Sequence, residues 1–286
     1  MKSFFRCAVV LALCSAAPAL AQSADTKNNN AGPYVPTPWM IVEQMLKLAD
    51  IRGDDVVYDL GSGDGRLVIA AAKRFGAHGV GVELQTELVD VARIGANDEG
   101  VADRVKFVQG DLFETDIKEA SVVMLYLLPQ FVMRLVPRFR AELRPGTRIV
   151  SHDYPLTPWP PDKELSIDVP EKEMIVGTSW TRLYYYVVPA RVNGVWELTL
   201  PKALARAPLV LQINQEPQAV GGFVREDGGE LYLADLTVRG EQIRFSLLYK
   251  EKLMAFDGTV AGDTMAGEVR TRDRPAPWTA RRPLPR

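Results

Sequence analysis

The sequence predicts an α/β domain built on a doubly wound parallel sheet, followed by a smaller antiparallel all-β domain. The apolar run Val56–Leu60 is followed at once by a glycine-rich turn, residues 61–65, and then by a helix-like run over residues 67–75 that Gly76 ends. A strand, a glycine turn and a helix start form the ligand-facing corner of doubly wound folds. From about residue 191 onward, apolar and polar residues alternate, which indicates short strands with one buried face.

The amino terminus has the pattern of a secretory signal. Lys2 and Arg6 precede a short apolar run, and Ala19-Leu20-Ala21 fits a small-residue cleavage site. We therefore predict a signal peptide over residues 1–21, followed by a disordered leader over residues 22–32. A lipoprotein signal at Cys14 is the alternative. Export, most simply to the periplasm, is the expected location, and the cytoplasm is the alternative.

Composition limits the partners and the chemistry of the mature chain. The 286 residues are 47% apolar and 24% charged, as in globular proteins of one or two domains. Cleavage after Ala21 removes both cysteines, so we expect no disulfide, no thiol nucleophile and no cysteine metal site, and we predict no other metal ligands. The whole chain has a formal net charge of −2 and no basic block, and it becomes more acidic when Lys2 and Arg6 are removed, so we do not expect nucleic-acid binding. The ordinary composition predicts no transmembrane helix in the mature chain.

The segment before the first strand starts a helix. Pro36 and Pro38 make residues 34–38 extended, with Thr37 as the predicted N-cap and Pro38 as the first helical residue. Residues 42, 45, 46 and 49 give this helix an apolar stripe. Two interpretations stay open: an accessory helix with an ordinary cap, or a segment that closes over a bound ligand.

The glycine spacing selects the kind of ligand. It is G-x-G-x-G, with Arg66 next, whereas a dinucleotide fingerprint is G-x-G-x-x-G. A helix start beside two carboxylates, Asp59 and Asp64, is a poor site for a pyrophosphate and suits a positive centre such as a sulfonium or an ammonium. Glu83 follows Asp59 by 24 residues, at the tip of the second strand, where a ribose diol is bound in such folds.

Apolar patterning places the other elements of the first domain. A helix is predicted over residues 87–97, with Leu88, Val91, Ala92 and Gly95 facing inward. Pro137 is expected to divide the next helical stretch into residues 130–135 and 137–143. The remaining predicted strands are residues 104–108, 121–129 and 148–153 and a terminal antiparallel strand over residues 182–188.

The segment after residue 191 has the pattern of a small meander. Some eight short strands recur at intervals of about ten residues, separated by turns such as Asn193-Gly194 and Asp257-Gly258. This pattern predicts an antiparallel meander that closes into a barrel. The barrel can hold a ligand, or it can be filled and serve for docking or stability. We find no catalytic cluster in its sequence.

Several motifs together resemble the class I S-adenosylmethionine-dependent methyltransferases. They are Tyr34-Val35-Pro36-Thr37-Pro38, Asp59 to Arg66, Glu83-Leu84-Gln85, Tyr126-Leu127-Leu128-Pro129, and residues 144–148 with Ser151-His152-Asp153. In this order they are similar to the family of the ATP synthase c-subunit lysine methyltransferase and its bacterial relatives. The resemblance implies a Rossmann-like methyltransferase domain over residues 33–190 and leaves 191–286 as the barrel-like domain. The secretory signal and the segment after Pro189 differ from that family, and both bear on the substrate.

The resemblance implies S-adenosyl-L-methionine as the cofactor. The implied cofactor-binding residues are Thr37, Asp59, Gly61, Ser62, Gly63, Asp64, Gly65, Glu83, Leu84, Gln85, Asp111 and Leu112. In such enzymes an acidic side chain at the position of Asp111 takes the adenine amino group. A turn or N-cap aspartate is the alternative interpretation of that residue.

Methyl transfer from a sulfonium requires an acceptor amine that arrives neutral. A lysine amine has a pKa of about 10.4, so burial or a nearby base must favour its deprotonated form. Tyr126, His152 and Asp153, at predicted strand tips, are the candidate catalytic residues, although a lone histidine at a strand end is often structural.

Three functions compete at this point. The first is a methyltransferase acting on lysine of a protein, with a membrane protein among the options. The second is a small-molecule methyltransferase on the same fold. The third is a non-catalytic nucleoside-binding protein that works through its barrel. An NAD-dependent oxidoreductase is disfavoured by the glycine spacing.

Overall fold

A computed structural model of the chain describes residues 34–217, 219–226, 229–272 and 274–283. The predicted signal peptide and leader, residues 1–21 and 22–32, lie outside this part of the chain. The described residues form one sheet of seven strands and one of nine. Among them, no helix is long and apolar enough to cross a membrane.

The first sheet is a doubly wound sheet with an antiparallel edge. Its strands are β1 (Val56–Leu60), β2 (His78–Glu83), β3 (Val105–Gln109), β4 (Val122–Leu125), β5 (Arg148–His152), β6 (Lys163–Asp168) and β7 (Trp180–Val187). Their spatial order is β3-β2-β1-β4-β5-β7-β6, with β1 to β5 parallel and β7 antiparallel to both neighbours. The strand order reverses between β1 and β4, which places a crevice at their carboxyl ends.

Helices cover both faces of this sheet. They are α1 (Trp39–Leu48), α2 (Arg66–Phe75), α3 (Thr86–Asp98), α4 (Pro129–Glu142) and α5 (Pro170–Val176). One core contains Ile41 of α1, Val68 of α2 and Val89 of α3, and the other contains Phe131 and Leu135 of α4. The mostly apolar strands β1 and β4 lie between these cores, as expected for strands buried on both faces.

The predicted strands of this domain are present, and four helix and edge predictions are wrong. Thr37 is not the N-cap of α1, because Pro38 holds that position, without a side-chain capping bond. On α3, Val89, Ala92 and Ala96 are buried, whereas Val91 is 52% exposed, so the predicted inward face is rotated. The two predicted helical pieces form one helix, α4, with Pro137 inside it. Strand β6, and not β7, is the sheet's outer edge.

The second sheet is a nearly closed barrel of nine strands. They are β8 (Gly194–Thr199), β9 (Leu209–Gln215), β10 (Val220–Glu226), β11 (Gly229–Tyr232), β12 (Ala234–Arg239), β13 (Gln242–Tyr249), β14 (Lys252–Ala261), β15 (Thr264–Arg270) and β16 (Pro275–Arg281). Each strand pairs with the next, and β16 pairs back with β8, so the ladder is interrupted only between β11 and β12 among the described residues.

The barrel interior is filled by side chains. Trp196 and Trp278 are buried, and Phe245 stacks on Phe256 with ring centroids 4.3 Å apart. Trp278 meets both phenylalanine rings edge-on, at 5.8 and 5.6 Å. Of the two interpretations of the barrel, the structure favours the filled one, because its large aromatic residues occupy the space that a ligand would need.

Direct bonds join the two domains beside a wide cleft. The amide of Ala190 donates to the carbonyl of Gly240 at 2.7 Å, and Arg239 Nε pairs with Asp162 Oδ1 at 3.1 Å. The cleft has a volume of about 980 Å³ and is lined by both domains, including Arg148 and Val187 at the amino-terminal edge of the parallel strands. It therefore lies at the opposite edge of the sheet from the crevice.

Candidate active site

A second, smaller cleft lies at the carboxyl ends of β1 to β4. The segment before α1, the glycine turn and the tips of β2, β3 and β4 surround it. All the predicted cofactor-binding residues line it except Gly65. Gly65 instead caps α2 with φ 77°, and a Cβ there would meet Phe107 and Ala92 at 2.5 to 2.9 Å. A glycine is thus required at this position so that α2 can pack against α3 and β3.

The glycine turn brings bare backbone to the cleft. Gly61 and Gly63 have φ values of 89° and 52°, which side chains rarely adopt. A Cβ on Gly61 would lie 2.8 Å from Leu127 Cδ2, and one on Gly63 would lie 2.4 Å from Tyr34 Cε2. The amides of Gly61 and Ser62 both donate to the carbonyl of Val82, so the turn is fixed to the second strand.

Glu83 fixes the other side of the cleft. Its Oε2 accepts the amide of Gly63 at 3.0 Å, and its Oε1 accepts the amides of Leu84 and Gln85 at 2.8 and 2.9 Å. The side chain is 9% exposed and lines the cleft. Because a carboxylate has about four lone-pair sites, Glu83 keeps capacity for a ligand hydroxyl.

The two aspartates of the turn differ in charge state. Asp59 is 3% exposed, and burial, with the nearby charges of Asp64 and Glu83, raises its pKa to about 8. Burial also acts on Asp64, but the hydrogen bonds that it accepts from Arg66, among them those from Nε at 2.9 Å and from Nη2 at 2.6 Å, outweigh this and lower the pKa of Asp64. Asp64 is therefore already neutralised by a partner, and the unbalanced acid that faces a cationic ligand is Asp59.

Asp111 and Leu112 close the far side. Asp111 Oδ1 accepts the amide of Phe113 at 2.8 Å, and its carbonyl accepts the amides of Glu114 and Thr115. Asp111 is thus a turn aspartate that also lines the cleft, and its predicted contact to adenine stays a prediction. Leu112 is buried beside it.

The three candidate catalytic residues form a line in which each contacts the next, in the order Tyr126, His152 and Asp153, and one of them borders the cleft. Tyr126 does so, and its ring stacks on His152 with centroids 3.9 Å apart. His152 is fully buried behind it, which lowers its pKa to about 4, and its Nδ1 has no partner among the described residues. Asp153 pairs with Lys172 at 2.5 Å. Burial raises the pKa of Tyr126 to about 12.

Several residues of this region were not predicted as site residues, and four of them contact the glycine turn or the candidate catalytic residues. Tyr34 lies over Gly63, and Arg66 joins Asp64 to the carbonyl of Thr37 through a 2.8 Å bond from Nη1. Both belong to motifs that the sequence singles out, so their neighbourhood was a usable signal. Lys172 and Thr181 contact Asp153 and His152 from α5 and β7, which show no comparable motif.

The residues of the cleft fit an adenosyl sulfonium. The glycine turn leaves room beside its backbone for the nucleoside, Glu83 can accept ribose hydroxyls, and Asp59 is the acid available to the sulfonium. Ser62 Oγ is buried without a partner among the described residues. The enclosed volume is about 90 Å³, below the about 300 Å³ of typical ligand pockets, because Tyr34 covers the turn.

Comparison with known proteins identifies the first domain. Residues 59–163 match the ANTKMT methyltransferase domain. A protein-lysine N-methyltransferase of Saccharolobus islandicus is 44% identical over 137 residues, which are 48% of this chain and 85% of that protein. The human lysine N-methyltransferase of the ATP synthase c-subunit is 37% identical over 130 residues, 46% of this chain, and the match spans just 55% of the human protein.

A solved structure agrees with these matches. An RNA methyltransferase from Salinibacter ruber, in complex with S-adenosyl-L-homocysteine, is 47% identical, with a TM-score of 0.50 over 55% of this chain and 96% of that one. S-adenosylmethionine is thus the cofactor, as the motifs imply. The chain belongs to the family of S-adenosylmethionine-dependent methyltransferases that contains the Saccharolobus protein-lysine N-methyltransferase.

Proposed function

We propose that this chain methylates lysine side chains of a protein. Two of its relatives are named for that activity, and one of these matches over 85% of its length. The carrying observation is the cleft where Glu83 fixes the glycine turn and the buried Asp59 lacks a cationic partner. The substrate is a protein, with membrane proteins among the options, and a small-molecule acceptor is the alternative. The labelling experiment below distinguishes the two.

The side chains of the cleft contribute position and burial. Bound S-adenosylmethionine supplies a methyl group on a positively charged sulfur. Asp59 favours that charge in its ionised form, and Glu83 can accept hydroxyl protons. Tyr126 keeps its phenol proton at neutral pH and offers an oxygen acceptor to an amine, whereas the neutral, buried His152 cannot reach it directly. Good positioning of such a pair contributes up to roughly 7–11 kcal/mol.

Calorimetry and methyl labelling test this function. We expect the purified chain to bind S-adenosylmethionine and its demethylated product, and not NAD. Glu83→Gln keeps the shape of the side chain but replaces one accepting oxygen by an amide, so we expect about tenfold weaker cofactor binding, a loss of about 1.4 kcal/mol. Glu87→Gln, on the exposed side of α3, is the matched control. Equal affinities of the two variants would contradict the role of Glu83.

The acceptor is identified by where the label goes. Radiolabelled methyl groups on a membrane extract should be recovered as methyl-lysine after acid hydrolysis. RNA is a second candidate, because the Salinibacter relative is named an RNA methyltransferase. The formal net charge of −2 opposes it, since phosphate binding requires a basic surface. Label that nuclease removes and protease does not would establish RNA instead.

We also propose that the protein is exported. The support is the pattern of residues 1–21 alone, a charged start, an apolar run and a small-residue cleavage site. A reporter that is active only outside the cytoplasm, fused after residue 32, should be active. An inactive reporter, with residues 1–21 retained on the purified protein, would establish the cytoplasmic alternative.

A further inference from the structure

Lys172 occupies a complete ammonium-binding site next to the candidate catalytic residues. Its side chain is 5% exposed. Its Nζ donates to Asp153 Oδ2 at 2.5 Å, to Thr181 Oγ1 at 2.8 Å and to the carbonyl of Trp180 at 3.2 Å. An ammonium has three N–H groups, so each of them has one acceptor here. The site combines one negative charge with two neutral oxygens.

This site continues the line of residues that begins at the cofactor cleft. Tyr126 follows β4, His152 ends β5 and Thr181 belongs to β7, and these three strands are neighbours in the sheet. The Tyr126 ring stacks on His152, whose Nε2 lies 3.5 Å from Thr181 Oγ1 and 3.6 Å from Asp153 Oδ2. The ammonium site is thus two strands along the same sheet edge from the wall of the cleft.

The backbone at this site is strained in a way that presents the carboxylate. Asp153 has φ 63°, a left-handed conformation uncommon for a residue with a side chain. The amide of Arg182 donates to its Oδ1 at 3.2 Å, and its own amide donates to the carbonyl of Arg182. Such strain concentrates at functional sites. The burial of Lys172 and its three acceptors distinguish this cluster from an ordinary surface pair.

We propose that Asp153, Thr181 and the Trp180 carbonyl form an ammonium subsite of the acceptor channel, which Lys172 fills as an internal substitute for the substrate lysine. The inference rests on the proposed function. The substrate lysine displaces Lys172 from these three acceptors, at a point separated from Tyr126 by the buried His152. Helix α5 is suited to this displacement, since it has seven residues and follows the edge strand β6 in the chain. Met174 of α5 is 92% exposed, and Trp180 at the start of β7 is 62% exposed.

A small amine tests the subsite without any need for methyl transfer. Lys172→Ala leaves a cavity with three acceptors, so n-butylammonium should raise its melting temperature. The wild type and Lys47→Ala, which removes an exposed lysine of α1, should not respond. Tetramethylammonium, which has the charge but no N–H group, should be without effect on all three. No response of Lys172→Ala to butylammonium, or an equal response of the wild type, would overturn the subsite.

Kinetics on the membrane extract tests the role in acceptor binding. If Lys172 occupies the subsite nine times in ten, its removal should lower the KM for the acceptor about tenfold, with kcat nearly unchanged. Butylammonium should then compete with the acceptor in the variant alone. Lys172→Met, which keeps the stem without the ammonium, replaces Lys172→Ala if the latter does not fold. A lower kcat without a lower KM would make Lys172 structural.

The two proposals fail in different ways. If the wild type binds S-adenosylmethionine but labels no protein lysine, the proposed function fails, and the butylammonium measurement still decides whether the ammonium site exists. If lysine is labelled while both Lys172 variants have the KM of the wild type, the function stands and the internal substitute is wrong.

Discussion

Asp59 is a buried acid that the folded chain holds in an unfavourable place. At 3% exposure, with a pKa near 8, it is largely protonated at neutral pH in the free protein. A bound cationic ligand favours the ionised form of Asp59, because the opposite charge stabilises the carboxylate. Binding of S-adenosylmethionine at pH 7 should therefore release close to one proton. Calorimetry in buffers of different ionisation enthalpy measures this, and an enthalpy independent of the buffer would contradict it.

The same residue sets a pH dependence of stability. Its pKa is raised from 3.8 in the unfolded chain to about 8 in the folded one, so its contribution is complete below pH 3.8 and is lost as the pH rises to 8. An asparagine side chain at this position would not titrate. We expect Asp59→Asn to gain stability over the wild type across this window, by at most about 1.4 kcal/mol per pH unit, in urea unfolding. Asp98→Asn, on the exposed end of α3, is the control and should run parallel to the wild type.

At the scale of elements, α4 shows packing that overrides a local signal. Pro137 cannot donate to the carbonyl of Met133, yet the helix runs through it. Val132, Leu135, Val136 and Phe139 are buried on one face, whereas Met133 and Pro137 face outward, so water can solvate the carbonyl that lacks its bond. The prediction of two pieces failed because the buried face continues on both sides of the proline.

Replacement of Pro137 should therefore stabilise the protein. Pro137→Ala restores the donor and removes the ring from the preceding turn, and we expect a gain of about 1–3 kcal/mol in the free energy of unfolding. Pro129→Ala is the matched control, because proline is favourable at the first helical position and its loss should give no gain. Urea unfolding of both variants measures the difference. A destabilised Pro137→Ala would mean that the ring itself packs.

The elements that the sequence predicts are those with a strong local signal. The apolar runs of β1 and β4 and the turn at Gly61 are contiguous in the chain, so motif and structure coincide. Strand β6 lacked such a signal, since residues 163–168 are mostly exposed at the sheet edge. On α3 two overlapping faces that share Ala92 satisfy helical spacing, and the folded chain buries the one that contains Val89 and Ala96.

The candidate site divides in the same way. Its cofactor side lies on motifs at neighbouring strand tips, and all but one of the cofactor-binding residues that the sequence predicts line the cleft. Its outer side is assembled by the antiparallel strand β7 and by α5, which bring Thr181 and Lys172 to Asp153. No spacing in the sequence predicts these contacts, because they depend on β7 running antiparallel to β5.

At the scale of the whole molecule, the cofactor cleft belongs to one domain. Every residue that lines it precedes Leu128, and none comes from the barrel. A chain ended after Ala190 should therefore bind S-adenosylmethionine within about twofold of the full affinity, a difference of at most about 0.4 kcal/mol. Calorimetry on a folded truncated chain checks this. A loss of tenfold or more would show that the barrel supports the cleft through the bonds of Ala190 and Arg239.

Arg66 connects the segment before α1 to the glycine turn of the cofactor cleft. Its guanidinium holds Asp64, the carbonyl of Thr37 and the face of the Trp39 ring, the last at 5.2 Å. The helix start of the glycine motif and the extended segment before α1 are therefore joined by one side chain. Because residues 34–37 line the cofactor cleft, we expect a change in the chain just ahead of Tyr34, such as the proposed removal of residues 1–21, to alter the affinity for the methyl donor.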